Sequence, residues 1–330
     1  MSKRVVFLGM GGTIAGRATT ASDNVGYRAG EVPVNEILEA VPGLAALLGG
    51  TQLHSEQVAQ IDSKDMRFED MARLAQRLCE HLEDNAVVAA VVTHGTDTLE
   101  ETAFFLHCVI PHSLLSQKAV VMTCAMRPAT ALSPDGPGNL LDATAVALDP
   151  RARGVLVAAA GSIHGAQQVQ KVHPYRLDAF NSGEAGPLGF VEEGRVRWVA
   201  QPVVSAGKRV PQKGQLVDSR WPRVEIVMNH VGATGASVRA LCRPTTADGD
   251  ALLRGIIVAG TGNGTISQDL EEALLQAQAS GVRVVRVSRC QDGVVVTSAH
   301  AVAAIETMPY SAVKARIALM LDLLSAEVSH

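Results

Sequence analysis

The sequence predicts an α/β protein: a larger N-terminal domain on a mainly parallel sheet covered by helices, and a smaller C-terminal α/β domain. Three observations carry this. Short β-branched runs alternate with longer stretches whose apolar residues recur at three- and four-residue spacing, the pattern of parallel strands joined by crossover helices. The alternation breaks once, over residues 193–223, a basic stretch without helical periodicity that holds Pro202, Pro211 and Pro222, as inter-domain connections do. A chain of 330 residues also exceeds the roughly 150 residues typical of one domain. The expected division is 1–195 for the first domain, 196–222 for a linker and 223–330 for the second domain.

In the first half the strand candidates are VVFLG (5–9), AVVAAVVTHG (86–95), AVVMTCA (119–125) and GVLVAAAG (154–161). LEETAFFLHCVI, from Leu99, has helical spacing of its apolar residues. The second half offers VEIVMNH, LLRGIIVAGTGNG, VRVVRVSR and GVVVTSAHAV as strands and SAVKARIALMLDLLSAEV as a closing helix. No internal repeat or low-complexity segment interrupts the chain.

Composition excludes several partners. Net charge is -4, basic residues are scattered and aromatics make up 3%, so neither a basic footprint nor a stacking platform for nucleic acid is present. The partner expected is a small molecule, with no nucleic acid and no membrane. The VVFL run near the amino terminus is too short for the apolar core of a signal peptide, and no stretch approaches the roughly 20 apolar residues of a membrane span; a cytoplasmic protein is expected. Cys79, Cys108, Cys124, Cys242 and Cys290 are odd in number and form no C-x-x-C, so they read as buried small hydrophobes rather than disulfides or zinc ligands. The ten histidines show no H-E-x-x-H or close ligand spacing, and neither metal nor cofactor is expected.

The chemistry concentrates at two strand ends. LGMGGTIAG, Leu8 to Gly16, lacks the G-x-G-x-x-G of dinucleotide turns and the G-K-[ST] of a Walker loop. It does set Thr13 after Gly11 and Gly12 at the carboxyl end of a strand, where open α/β sheets place ligands. VVTHGTDTLEETAFFL repeats the device with Thr96 and Asp97. Taken singly, each reads equally as a capped turn, the second with Thr98 as N-cap before Glu100 and Glu101. A threonine needs a neighbouring group to take its proton. Lys171, in SIHGAQQVQKVHPYRLDAFNSGEAGPLGF, is the candidate, with Asp97 as its counter-ion.

These motifs resemble the asparaginase/glutaminase amidohydrolase family of bacterial type. GGTIAG at Gly11 to Gly16 and HGTDTLEETA at His94 to Ala103 are similar to its two signatures in order and separation. AMRPATALSPDGPGNL at Ala125 to Leu140 and KARIAL at Lys314 to Leu319 resemble its next block and its closing helix, so the likeness covers nearly the whole length. It implies a cytoplasmic homotetramer that hydrolyses L-asparagine through a threonine nucleophile. Thr13 would attack the side-chain amide, Tyr27 on a closing loop would assist removal of its proton, and Thr96, Asp97 and Lys171 would form the second group. Gly12, Ser63, Thr96 and Asp97 would bind substrate, with Asn263 reaching in from a neighbouring subunit. L-glutamine and a deaminated amide such as succinamate are the alternative substrates, and a nucleotide-binding or sensory α/β protein is the alternative of a different class. Two positions depart from the family pattern. Lys64 and, where many members bring a glutamate, His300 would weaken recognition of a substrate ammonium, unless Lys64 is solvated and His300 is an ordinary core or surface residue.

Overall fold

The computed structural model describes residues 2–204, 216–217, 219–243, 252–297 and 304–328. It divides into two units, Met1–Lys208 and Arg209–His330. In the first, strands β1 (Arg4–Gly11), β2 (Arg17–Ala18) and β3 (Tyr27–Arg28) are followed by helices α1 (Val34–Glu39) and α2 (Leu44–Leu48) and by β4 (Gln52–Ile61). Then come α3 (Phe68–Glu83), β5 (Val87–Thr93), α4 (Leu99–Val109), α5 (His112–Leu115), β6 (Ala119–Thr123), α6 (Gly136–Leu148), β7 (Gly154–Ala159) and β8 (Ser162–Gly165). Short strands β9 (Gln170–Lys171) and β10 (Phe180–Asn181) precede β11 (Gly189–Glu192) and β12 (Arg195–Trp198).

The main sheet has the order β12-β11-β8-β7-β6-β5-β1-β4. Pairing is parallel from β4 to β7 and antiparallel from β7 to β12. The predicted apolar runs form β1, β5, β6 and β7 because they are buried on both faces, as crossover topology requires. Val5 and Phe7 of β1, with Val91 and Val121, pack against Val34, Leu38 and Leu44 from the α1–α2 region and Leu140 and Val146 of α6. The alternate residues, among them Val6, Leu8, Ala90 and Val92, are also fully buried, and α3 packs against β5 and α4 against β7.

Strand β4 has no counterpart among the expected strands. It is an edge strand with few buried residues, so its sequence, QLHSEQVAQI, carries little apolar pattern. The segment expected as linker, 196–222, also begins inside a strand: its first three residues belong to β12, which pairs with β11.

The second unit holds β13 (Arg223–Met228), α7 (Ala236–Leu241), β14 (Leu253–Gly260), α8 (Gln268–Ala279), β15 (Arg283–Ser288), β16 (Glu306–Thr307) and α9 (Ala312–Val328). Its four strands pair in that order, all parallel. Helix α9 lies on this sheet, and Gly255 makes room for it: a Cβ there would sit 2.7 Å from Leu319. The strand expected over 293–302 is not found. Residues 294–297 form none, positions 298–302 lie outside the described residues, and the fourth strand is β16. Cys79 and Cys124 are buried as expected, but Cys242 and Cys290 are exposed, the first at a helix end and the second in a loop.

Asn139 of α6 locks the carboxyl ends of the central strands. Its amide donates to the Cys124 carbonyl at 2.9 Å and to Asp135 at 3.2 Å, and its oxygen accepts from the Ala160 N–H at 2.9 Å. Asn139→Ala removes the donor to the buried Cys124 carbonyl and is expected to lower unfolding stability by about 1–3 kcal/mol in urea denaturation, without changing the slope of the transition.

Candidate active site

In the sheet, β1 lies between β4 and β5, so the chain passes to one side of β1 and then crosses to the other. Such a reversal opens a crevice at the carboxyl ends of the strands. Thr13 follows β1, Ser63 follows β4, and Thr96 and Asp97 follow β5.

Glycine permits these loops to meet. Gly12 has φ 80°, and a Cβ on it would collide with the backbone of Gly95. A Cβ on Gly95 would in turn lie 2.5 Å from the Ser63 hydroxyl. Any side chain at either position therefore separates the loops. The Gly12 N–H donates to the Ile61 carbonyl at 3.0 Å, fixing the turn to β4 as well. These glycines therefore serve to pack loop on loop.

Thr13 opens a single 3-10 turn, Thr13–Ala15, and is buried. Its Oγ1 lies 2.6 Å from Tyr27 Oη. Tyr27 arrives on the β2–β3 hairpin, which is pinned by Ala18 N–H to Thr130 Oγ1 at 2.8 Å and by Leu132 N–H to the Ala21 carbonyl at 3.1 Å. Its ring rests against Gly16, where a Cβ would come within 2.8 Å of Cδ2. Burial pushes the phenol above its ordinary value; the Thr13 hydrogen bond opposes this, the Asp62 and Asp97 carboxylates add to it, and Lys64 offsets part. Tyr27 therefore rests as the neutral phenol.

Lys171 reaches the second threonine from β9, which is held by pairing with β10. Its Nζ donates to Thr96 Oγ1 at 2.8 Å and to Asp97 Oδ1 at 2.6 Å. Because the ammonium donates, the Thr96 oxygen accepts, and the hydroxyl proton of this buried residue is directed elsewhere. The Lys171 side chain is 15% exposed and that of Asp97 54%, so the pair sits at the mouth of the site with its anion toward solvent.

Ser63 ties these groups together. Its Oγ accepts from the Asp97 N–H at 3.2 Å, and its carbonyl accepts from the Thr98 hydroxyl at 2.8 Å. Thr98 stands at the N-cap position of α4, as the capped-turn reading expects, but its hydroxyl makes no capping bond and donates to the Ser63 carbonyl instead. Glu100 and Glu101 still sit in the first turn, where the helix dipole favours them. Lys64 turns onto Asp65 at 2.6 Å and Asp62 at 3.0 Å and is exposed, the solvated alternative for this residue.

Asn263 belongs to the second unit, where its carboxamide donates to the Val296 carbonyl at 2.9 Å and accepts from the Val296 N–H at 2.8 Å. His300 lies outside the described residues.

Two supporting residues escaped the sequence reading. His94 is fully buried; its Nδ1 lies 2.7 Å from the Gly95 carbonyl and its Nε2 lies 3.0 Å from Thr102 Oγ1. The carbonyl only accepts, so Nδ1 carries the proton and Thr102 donates to Nε2. Burial holds this imidazole down at about 4, so it is neutral and fixes the loop bearing Thr96. Asp135 accepts from the Met126 and Arg127 N–H groups, each at 2.9 Å, and closes the turn beside the site. His94 was visible within HGTDT, but a histidine beside a glycine gives no hint of which way its ring turns.

Comparison with known proteins places the whole chain. Residues 4–204 match the family model described as Asparaginase, N-terminal, and residues 223–328 match the Glutaminase/Asparaginase C-terminal domain. The glutaminase-asparaginase of Pseudomonas fluorescens biotype A is 36% identical over 299 residues, covering 88% of this chain and 76% of that protein. L-asparaginase 2 of Escherichia coli strain K12 is 34% identical over 291 residues, 88% of this chain and 78% of its own. A crystal structure described as the probable cytoplasmic L-asparaginase from Campylobacter jejuni superimposes with a TM-score of 0.85 at 33% identity, covering 98% of this chain and 95% of that one.

Two outcomes follow from this geometry. Gly12→Ala is expected to reduce turnover of any substrate of this site by at least about 100-fold, the scale of a reacting group displaced by an ångström, with the far-UV circular dichroism of a folded chain retained. His94 and His164 are both buried, and burial holds each at about 4. The unfolded chain binds these protons more tightly, near 6.5. Stability present above pH 6.5 is therefore lost as pH falls toward 4, on the order of 3 kcal/mol for each histidine. Urea denaturation between pH 7 and pH 4 measures the loss, and His164→Asn removes part of it.

Proposed function

The chain belongs to the asparaginase family, and on that footing we propose that it hydrolyses the side-chain amide of L-asparagine to L-aspartate and ammonia with Thr13 as nucleophile. The observation that carries this reading is the Thr13–Tyr27 pair at 2.6 Å, set on loops in contact with those of Thr96, Asp97 and Lys171. The Thr13 oxygen attacks the amide carbon as its proton passes toward Tyr27 Oη. A phenol that rests neutral serves as a relay: it accepts the threonine proton while giving up its own toward the leaving nitrogen. Backbone N–H groups at the strand ends stabilise the tetrahedral oxyanion. Collapse breaks the C–N bond and releases ammonia, leaving an ester on Thr13. Water held by Thr96, whose oxygen is fixed by Lys171, then attacks the ester and restores the hydroxyl. The same geometry admits Thr96 as the acylated residue, and mapping of the trapped acyl-enzyme separates the two.

Substrate contacts follow from donor and acceptor capacity. Ser63 Oγ accepts from Asp97 N–H and keeps its own proton for a substrate α-carboxylate. The half-exposed Asp97 carboxylate meets the α-ammonium, and Gly12 presents backbone without a side chain in the way. Asn263 has a spare N–H and a spare lone pair beyond its Val296 bonds for a substrate in a neighbouring subunit of a homotetramer. A cytoplasmic setting is favoured by the likeness to the Campylobacter jejuni protein, and no helix among the described residues is long and apolar enough to cross a membrane.

L-Glutamine is the second substrate reading, supported by the 36% identical glutaminase-asparaginase. One methylene changes discrimination in a pocket by only about 1–3 kcal/mol. Succinamate remains in play because Asp97 divides its charge between Lys171 and any ammonium. The nucleotide-binding alternative has no support once both units match this hydrolytic family.

Ammonia release from L-asparagine, L-glutamine, D-asparagine and succinamate at matched concentrations tests the reading. Wild type is expected to turn over L-asparagine fastest and to retain activity in EDTA. Thr13→Ala is expected to be inactive while folded, and Tyr27→Phe to lose about 100-fold or more in kcat. A Thr13→Ala protein that still releases ammonia at the wild-type rate removes the nucleophile assignment. Acyl-enzyme trapping with mass mapping to Thr96 instead of Thr13 transfers that role.

A further inference from the structure

We propose that His54, Glu56 and His81 form a site for a divalent transition-metal ion of the Zn2+ type, which clips edge strand β4 to the last turn of helix α3. The sequence gives no metal-ligand spacing here, since the third donor comes from a different element. His54 and Glu56 are two residues apart on β4 and therefore share a face of the strand. His81 lies in the last turn of α3, which packs against β4. One ligand atom from each of the three residues lies within 4.8 Å of the other two. The two imidazole rings stand with centroids 5.5 Å apart, and His81 Nε2 is 2.7 Å from Glu56 Oε2.

The surroundings suit a cation. Arg77, one helical turn before His81, holds the Glu56 carboxylate by a two-pronged contact, Nε to Oε1 at 2.6 Å and Nη2 to Oε2 at 2.9 Å. This is the arrangement by which a neighbour orients a ligating carboxylate. Arg77 also pairs with Glu80. Two carboxylates against one guanidinium leave the cluster one negative charge when the imidazoles are neutral, so a dication is not repelled. Two imidazoles and one carboxylate oxygen, with water completing the shell, match Zn2+, Co2+ or Ni2+ rather than Ca2+ or Mg2+. His54 is exposed and supplies the entry path. A bound ion replaces the His81–Glu56 hydrogen bond by two metal–ligand bonds.

The site is remote from the chemistry. Glu56 precedes the carboxyl end of β4 at Ile61 by five residues, about 17 Å of strand. The ion therefore serves to fasten an edge strand and not to activate water for amide hydrolysis.

Calorimetric titration of the metal-free full chain with ZnCl2, together with visible absorption of the Co2+ form, tests this. Wild type is expected to bind one Zn2+ per chain with micromolar or tighter Kd. His54→Ala, a change at an exposed position, and His81→Ala are each expected to weaken binding at least about tenfold, with ammonia release unchanged in both. The Co2+ spectrum is expected to show nitrogen and oxygen ligation without thiolate-to-metal charge transfer. The proposal is overturned if wild type binds no Zn2+ below millimolar concentration or if both variants bind as wild type does. It is equally overturned if the Co2+ spectrum carries the thiolate band, which would assign the ion to the exposed Cys242 or Cys290.

Discussion

The contact between Gly12 and Gly95 is the constraint on which the site rests. Two strand-end loops, from β1 and β5, approach until neither can carry a Cβ. Thr13 follows one glycine and Thr96 the other, so backbone contact, and not the reach of flexible side chains, sets their relation. Ser63 fills the remaining side of Gly95 and accepts from the Asp97 N–H, which brings the end of β4 into the same assembly. A site fixed in this way needs little reorganisation when substrate arrives, which is where preorganised groups gain their effect.

Electrostatics then distinguish the two threonines. Thr13 faces a phenol that burial keeps neutral, while Thr96 faces a lysine paired with a carboxylate. One hydroxyl is therefore placed to exchange a proton within a short hydrogen bond, and the other is held as an acceptor with its proton turned away from the lysine. Supporting this pair, His94 stays neutral because its pocket is closed to water, and a neutral ring can donate at one nitrogen and accept at the other. A charged ring would donate at both and break the bond from Thr102.

Strand β4 has two roles because it lies at an edge. Its carboxyl end carries Ser63 into the crevice, while its amino-terminal half keeps polar side chains against α3, where Arg77, Glu56 and the two histidines gather. An edge strand exposes unpaired backbone and gains from fastening to a neighbouring helix.

The sequence by itself determined the α/β class, the central strands and the glycine loops that follow β1 and β5 with Thr13 and Thr96 on them. These are local facts: a strand buried on both faces must be apolar throughout, and a loop without side chains must be glycine. It also determined the family, through motifs confined to runs of six to sixteen residues, from GGTIAG to AMRPATALSPDGPGNL. Only the tertiary structure supplied the contacts themselves: Lys171 Nζ, already the expected partner, meets Thr96 Oγ1 at 2.8 Å across 75 positions, and the Asp97 N–H meets Ser63 Oγ at 3.2 Å across 34. It also turned Lys64 onto its neighbours and aimed the hydroxyl of Thr98, the N-cap residue of α4, at the Ser63 carbonyl instead of at the helix. Strand β4 was illegible for a related reason, since an edge strand half open to water has no need of the apolar pattern that announces its neighbours. The cluster of His54, Glu56 and His81 was invisible because its members are contributed by a strand and a helix whose packing no local spacing encodes. Periodicity and composition report what each segment buries, whereas partners distant in sequence are chosen by how the segments stack.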